Sequence, residues 1–209
     1  MQAWGDTLRL LVEVAGTLAF ALSGVLKAAR KRLDAVGVCV VGFLAAFGGG
    51  TLRDLLLDHR PFFWVQQVGM LWGVMALCVL AMLFMRRRHF EVTEKAIQWP
   101  DAVGLGLFTA SGVHLALVAQ APLLVAVLMG VITGVFGGVL RDMVCSEVPT
   151  AFSDHQPYAV CAFAGGWAYA GLWWLGAPGW VALLCCVAIT AGLRIVAMWR
   201  KWTLPAWRV

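Results

Sequence analysis

The chain has 209 residues, of which 62% are hydrophobic and only 13% charged, and its formal net charge is +5. A soluble domain carries about 25% charged residues, so the composition excludes an ordinary soluble protein. Uncharged runs such as 62–85 and 122–140 reach the roughly 20 residues that a helix needs to cross a bilayer. Any function therefore has to lie within the membrane.

Seven apolar segments of helical length follow one another along the chain. They lie near residues 7–27, 36–58, 64–85, 101–119, 122–146, 156–175 and 178–199. These segments are apolar on every face, whereas strands of a membrane barrel alternate apolar and polar residues. Backbone groups in lipid must also bond within their own segment. The sequence predicts an all-α integral membrane protein, a single transmembrane domain over residues 1–209 with seven transmembrane helices.

The first two segments contain a pattern that returns in the fourth and fifth. GGGTLRD at 48–54 reappears as FGGVLRD at 136–142, and an offset of 88 positions aligns Gly, Ser, Phe, Arg, Asp and Pro residues without a gap. Two apolar segments share Leu, Val and Ala by chance, but a match of these residue types in one register indicates a duplication. The candidate pathway or gating residues are Ser23, Gly48, Gly49, Gly50, Arg53 and Asp54 in the first copy, and Ser111, Gly137, Gly138, Arg141 and Asp142 in the second.

Each copy holds three helices, so the second copy must enter the membrane from the opposite side. The prediction is two inverted three-helix repeats, repeat one over about 7–85 and repeat two over about 101–175, with an extra seventh helix at about 178–199. Inverted repeats whose helices are interrupted by glycine are typical of proteins that move solutes.

The repeated glycines and serines allow two interpretations each. Paired glycines weaken a helix by about 1 kcal/mol each relative to alanine and permit a kink or a break that exposes carbonyls to a cation. They also let neighbouring helices pack closely. The serine hydroxyls either line a path or hydrogen-bond across helices.

The arginines of the motif are expected to take part in a pathway or a gate. Ionisable residues inside a span are costly and usually face a partner or a water-filled cavity; the alternative is a side chain that snorkels to the surface or ends its helix in a salt bridge. Adjacent helical residues point in different directions, so Arg53 and Asp54 are expected to pair with other groups. The carboxylates available to neutralise the two arginines are Asp54 and Asp142, then Glu13 and Asp101.

The basic residues predict the orientation. With seven crossings, one side collects the clusters at 27–32, 86–88 and 200–208, together with Lys95. This bias places that side, and the C-terminus, in the cytoplasm and the N-terminus outside. Topology and anionic membrane lipids account for the positive charge, so no nucleic-acid partner is expected. Since no nucleophile–base set, metal cluster or nucleotide loop is present, we expect neither an enzyme nor a cofactor.

The chain resembles a known family in AFALSG near residue 20, GGGTLRD at 48–54, Pro61 and GGVLRD at 137–142. It is similar to bacterial membrane proteins with paired “glycine transporter” domains, the prokaryotic relatives of the trimeric intracellular cation (TRIC) channels. The resemblance implies a homotrimer in the bacterial inner membrane with one pore inside each protomer, passing K⁺ and to a lesser degree Na⁺. The alternative is a secondary transporter of a small solute such as an amino acid. Animal members bind an anionic lipid through a lysine-containing motif, which Arg-Asp replaces here, so that lipid site is not expected.

Overall fold

The structure is a computed structural model that describes residues 2–88, 93–153 and 156–205, and the regular secondary structure of this part is helical. The helices are α1 (Gln2–Arg30), α2 (Ala35–Leu56), α3 (Phe63–Gln66), α4 (Val68–Arg88), α5 (Glu94–Val118), α6 (Leu123–Val144), α7 (Thr150–Ser153), α8 (Ala159–Trp174) and α9 (Gly179–Arg200). Seven of them follow the seven predicted segments in order. The other two, α3 and α7, are single turns that follow Pro61 and Pro149. The all-helical prediction is confirmed.

Five helices, α1, α2, α5, α6 and α9, are long and apolar enough to cross a membrane. In α4 the apolar part is shorter, Val68–Phe84, and α8 has 16 residues. Large apolar side chains are exposed at the outside of the bundle, among them Trp72, Leu80 and Trp199. Lipid tails solvate such a surface, and water does not. The chain is therefore a multi-pass integral membrane protein.

The start of α5 differs from the prediction. The segment was expected to begin near residue 101, after Pro100, but α5 begins at Glu94 and Pro100 lies inside it. Thr93 caps the helix because its hydroxyl accepts a hydrogen bond from the amide of Ala96 at 3.3 Å. A side-chain cap of this kind satisfies an amide that the first turn would otherwise leave unpaired. The cap sets the start of the helix, and the chain continues through the proline.

Four helices form the centre of the molecule. They are α1, α2, α5 and α6, with extensive contacts of α5 with α6, α1 with α5, α2 with α6 and α1 with α2. Outside this centre, α4 packs on α1 and α2, while α8 packs on α5 and α6. The last helix, α9, packs on α8 and α5. Each half thus contributes two central helices and one outer helix, and α9 covers the second half.

Glycines bring α2 and α6 into direct backbone contact. A Cβ atom at Gly49 would collide with the carbonyl oxygen of Thr133, and one at Gly137 would collide with the carbonyl oxygen of Ala45. Both helices run through their glycines without interruption. An interruption of either helix at its glycines is therefore absent. The structure supports the other interpretation, in which the glycines permit close helix packing.

Candidate functional site

Arg53 lies near the end of α2 and is fully buried. Its Nε donates to Oδ1 of Asp54 at 2.8 Å, and its Nη1 donates to Oγ of Ser111 at 2.8 Å and to Oε1 of Glu13 at 3.3 Å. The partners come from α1, α2 and α5, so one guanidinium ties three helices together. We call Arg53, Asp54, Glu13 and Ser111 the first arginine network.

Arg141 occupies the matching place near the end of α6 and is only 2% exposed. Its Nε donates to Oδ1 of Asp142 at 2.9 Å, and its Nη1 donates to Oγ of Ser23 at 2.6 Å. The same Nη1 also pairs with Oδ1 of Asp101. We call Arg141, Asp142, Asp101 and Ser23 the second arginine network.

In each network the serine comes from the half of the chain that does not contain the arginine. Arg53 takes its serine from the second half, Ser111, and Arg141 takes its serine from the first half, Ser23. Each arginine takes both of its carboxylates from its own half. Of the two interpretations of the serines, the hydrogen bond across helices is the one the structure contains.

The expectation that the arginine of the motif pairs with groups other than the next aspartate is wrong. Arg53 and Arg141 do pair with the aspartate that follows each of them. Helical geometry directs adjacent Cβ atoms apart, but an arginine side chain is long enough to fold back to its neighbour. Of the two alternatives to a pathway role, snorkelling is absent because both guanidinium groups are buried, whereas a salt bridge near the helix end is present. Their place in the last helical turn is favourable, since helix C-termini attract positive charge.

Each aspartate of the motif also caps the single turn that follows it. Oδ2 of Asp54 accepts from the amide of Phe63 at 2.8 Å, and Oδ2 of Asp142 accepts from the amide of Thr150 at 3.0 Å. The carboxylates therefore satisfy backbone donors while holding the arginines. This double use fixes the chain after α2 and after α6 in the same way.

The remaining glycines of the motif make room beside the arginines. A Cβ atom at Gly50 would collide with the ring of Phe63, which lies 5.1 Å from the guanidinium carbon of Arg53. At Gly138 the nearest atom is Oη of Tyr158, and at Gly48 it is the side chain of Leu140. An aromatic side chain thus packs beside the second glycine of each pair.

The second network extends further than the first. Tyr158 Oη donates to Oδ2 of Asp101 at 2.7 Å, and the guanidinium of Arg194 lies 4.9 Å from the centre of the Tyr158 ring. Lys27 Nζ lies 3.7 Å from Oδ1 of Asp142 and pairs with Glu147. None of these four residues was a candidate from the sequence. Arg194 carried a usable signal, because it is an ionisable residue inside the seventh predicted span.

Ion pairs with two lysines connect the α6–α7 loop to the end of α1. Glu147 accepts from Lys27 and from Lys31, whose Nζ lies 2.6 Å from Oε1. Hydrogen bonds from these two lysines hold the pKa of Glu147 below its usual value. The loop therefore carries a negative charge at neutral pH and anchors the end of α1.

A small cavity of about 20 Å³ lies at the second network, with room for about one water molecule. Its lining includes Asp101, Arg141, Lys27, Glu94 and Arg194. The cavity is too small for a hydrated ion.

The chain matches one family model twice. The model of the family described as “Glycine transporter” aligns with residues 10–86 and again with residues 98–174. A relative in Escherichia coli, called an inner membrane protein, YadS, of the UPF0126 group, is 37% identical over 92% of this chain and 92% of its own length.

Solved structures share the fold at full length. One, described by the words “Structural basis for conductance through TRIC cation channels”, is 36% identical, with a TM-score of 0.85 over 95% of this chain and 97% of that chain. Another, described as the TRIC trimeric intracellular cation channel orthologue from Rhodobacter sphaeroides, is 32% identical, with a TM-score of 0.86 over 94% of this chain and 100% of that chain.

Proposed function

Since the chain belongs to the family described as “Glycine transporter”, we propose that it is a monovalent cation channel that passes K⁺ and, less well, Na⁺. Its similarity to structures described as TRIC cation channels supports this assignment. The ions would pass inside each protomer, between the central helices α1, α2, α5 and α6.

The observation that carries the proposal is the charge of the two networks. Arg53 is in ion-pair contact with two carboxylates, Glu13 and Asp54. Arg141 likewise contacts Asp101 and Asp142. Each arginine thus has its positive charge countered by carboxylates that it contacts. In a medium of low dielectric constant a bare arginine would repel a cation strongly, and these ion pairs remove that repulsion.

The networks would act as two gates in series. Each buried arginine covers carboxylates that a permeant cation needs, so conduction requires the arginine to move or to share its partners. In the proposed orientation, with the N-terminus outside and the C-terminus in the cytoplasm, Arg53 serves the outer end and Arg141 the cytoplasmic end. The candidate gating residues remain the glycines, arginines, aspartates and serines of the two motifs.

The proposal includes seven spans arranged as two inverted repeats, 7–85 and 101–175, plus the helix at 178–199. The reciprocal contacts support it, because α1 packs on α5 and α2 packs on α6, and each arginine bonds the serine of the other half. Two units related by a two-fold axis in the membrane plane would make such contacts. We further propose a homotrimer in the bacterial inner membrane, in line with the names of its relatives.

A secondary transporter of a small solute, such as an amino acid, is the second candidate. The reciprocal packing of the halves favours it, because alternating access rocks one repeat against the other. The family description points the same way. A transporter would use the two networks alternately, whereas a channel opens both at once.

Purified protein in planar bilayers separates the two candidates. A channel gives discrete single-channel current steps in symmetric KCl, and the steps persist in NaCl with smaller amplitude. A transporter gives no steps, and the same preparation in vesicles shows slow, saturable solute uptake. Saturable uptake without unitary currents would overturn the channel proposal.

A further inference from the structure

Arg194 is a buried cation that the proposed channel mechanism does not use. It lies on α9, which belongs to neither repeat, and it is 2% exposed. In the described part of the chain its contacts are a hydrogen bond from Nη1 to Oε1 of Gln156 at 3.1 Å and the face of the Tyr158 ring. Neither partner is a carboxylate. A buried guanidinium that loses its water needs compensating contacts, and in the described part of the chain the ring of Tyr158 and the amide of Gln156 supply them.

The contacts of Arg194 lead directly to the second arginine. The guanidinium lies over the ring of Tyr158, a geometry that cation–π attraction stabilises. Held in this way, Tyr158 donates its hydroxyl to Oδ2 of Asp101. The other carboxylate oxygen of Asp101 holds Arg141. Four side chains on α9, the α8 N-terminus, α5 and α6 thus form one continuous series.

In the first network the matching aromatic residue does not continue the series. Phe63 packs beside Gly50 and against Arg53, where Tyr158 packs beside Gly138. A phenyl ring has no hydroxyl and donates nothing to Glu13. The two networks therefore match in their arginine, carboxylates and serine but differ at the aromatic residue, and the described ring contact and hydrogen bond that connect α9 to an arginine network lead to the second.

Resting on the proposed channel function, we infer that Arg194 and Tyr158 are positioning residues through which α9 holds the Arg141 gate closed. Tyr158 fixes Asp101 in the orientation that binds Arg141, and Arg194 fixes the ring of Tyr158. The cavity at this place has room for about one water molecule, which agrees with a closed gate. Movement of α9 would release Asp101 and free Arg141, while the Arg53 gate would not respond.

The test compares Tyr158→Phe, Arg194→Met and the double variant in planar bilayers. Losing a hydrogen bond to a charged group is expected to raise the open probability by about tenfold in either single variant. The double variant should equal the single variants, because both changes break the same series. Thr190→Val, at a fully buried position one turn earlier on α9, is the control and should leave the open probability unchanged. Additive effects of the two single changes would overturn the inference.

Arg194→Lys separates positioning from charge. Lysine keeps the positive charge but lacks the planar face that stacks on the ring. If Arg194 acts by position, Arg194→Lys raises the open probability as Arg194→Met does. If the open probability of Arg194→Lys equals that of the unaltered protein, the charge alone matters and the inference fails. A purely structural residue would instead lower the Tm in all three variants without a change in gating.

A second readout does not depend on ion conduction. Cys145 is the buried residue that follows α6, and its amide bonds the carbonyl of Arg141. Its labelling by a thiol reagent, followed by site-resolved mass spectrometry, should become faster in Tyr158→Phe and Arg194→Met, again without additivity. Leu57 occupies the matching place after α2, so Leu57→Cys reports on the first network and should label at an unchanged rate. Unchanged labelling at Cys145 overturns the inference, whereas absence of current in the unaltered protein overturns only the channel proposal.

Discussion

At the scale of single residues, the exchange of serines makes each arginine depend on the other half of the chain. Ser23 lies in α1 but bonds Arg141 of α6, and Ser111 lies in α5 but bonds Arg53 of α2. Substituting the serine of one half should therefore weaken the network around the arginine of the other half. The sequence repeat alone does not contain this crossing, because an aligned serine fits equally well beside its own arginine.

Ser23→Ala and Ser111→Ala test whether each serine bonds the arginine of the opposite half. Each removes a hydrogen bond to a charged group, at a cost of about 1.5–3 kcal/mol. Ser23→Ala should speed the thiol labelling of Cys145 by about tenfold or more and leave Leu57→Cys unchanged, and Ser111→Ala should do the reverse. If each substitution affected the reporter in its own half, the exchange of hydroxyls would be disproved.

Glu147 makes the link between α1 and the α6–α7 loop dependent on pH. Its pKa is lowered by hydrogen bonds from Lys27 and Lys31, so the link stabilises the fold above the usual pKa of a glutamate. That stability is lost as the pH falls through the lower, folded-state value. Glu147→Gln should therefore lower the Tm at pH 7, and the difference from the unaltered protein should shrink towards pH 3. A difference that is independent of pH would mean that the ionised carboxylate contributes nothing.

At the scale of helices, the contact between α2 and α6 depends on two glycines, which have no Cβ atom. Gly49 and Gly137 admit the carbonyls of Thr133 and Ala45, and these two carbonyls stand at matching positions of the two halves. The sequence predicted the equivalence of the glycines but left their role open, because a helix break and a close contact use the same residue. The packing of the facing helix decides between them, and that packing is not local.

Gly49→Ala and Gly137→Ala are expected to separate α2 from α6. A methyl group forced into a well-packed contact costs about 1–3 kcal/mol, and here the opposing atom is a backbone carbonyl that cannot rotate away. Gly73→Ala in α4 is the matched control, because no atom lies within 4 Å of the added Cβ, and alanine in an open helical position stabilises by about 0.5–1 kcal/mol. The Tm in detergent should fall for the first two variants and hold or rise for the third. Equal Tm values would contradict the close contact.

At the scale of the whole molecule, the sequence predicted the helical class, the order of the seven long helices and the two arginine motifs. It did not predict that Tyr158 and Phe63 fill similar places, because they are 95 positions apart, and the repeat offset of 88 aligns neither with the other. It also missed the pairing of Arg53 with Asp54, since helical direction was considered without side-chain length. The predictable part follows from composition and periodicity, and the remainder depends on contacts between distant segments.

The proposed topology and assembly have a joint test. A cytoplasmic reporter fused after the last residue should be active and a periplasmic one inactive, because the basic clusters lie on the cytoplasmic side. Chemical crosslinking in mild detergent should give a trimer band as its largest product. An active periplasmic fusion would reverse the orientation and remove the argument for inverted repeats, and a monomer under all crosslinking conditions would contradict the trimer.

The shared serines also bear on how such a chain could have arisen. One three-helix unit already contains an arginine, two carboxylates and a serine, namely Arg53, Asp54, Glu13 and Ser23. Yet its own serine is used elsewhere, so a lone unit would bury an incompletely bonded guanidinium. In the proposed inverted arrangement, two identical units would complete each other by inserting in opposite directions and pairing. Gene fusion would then have turned that partnership between molecules into one within a single chain, after which the two ends were free to become different, as Phe63 and Tyr158 now are.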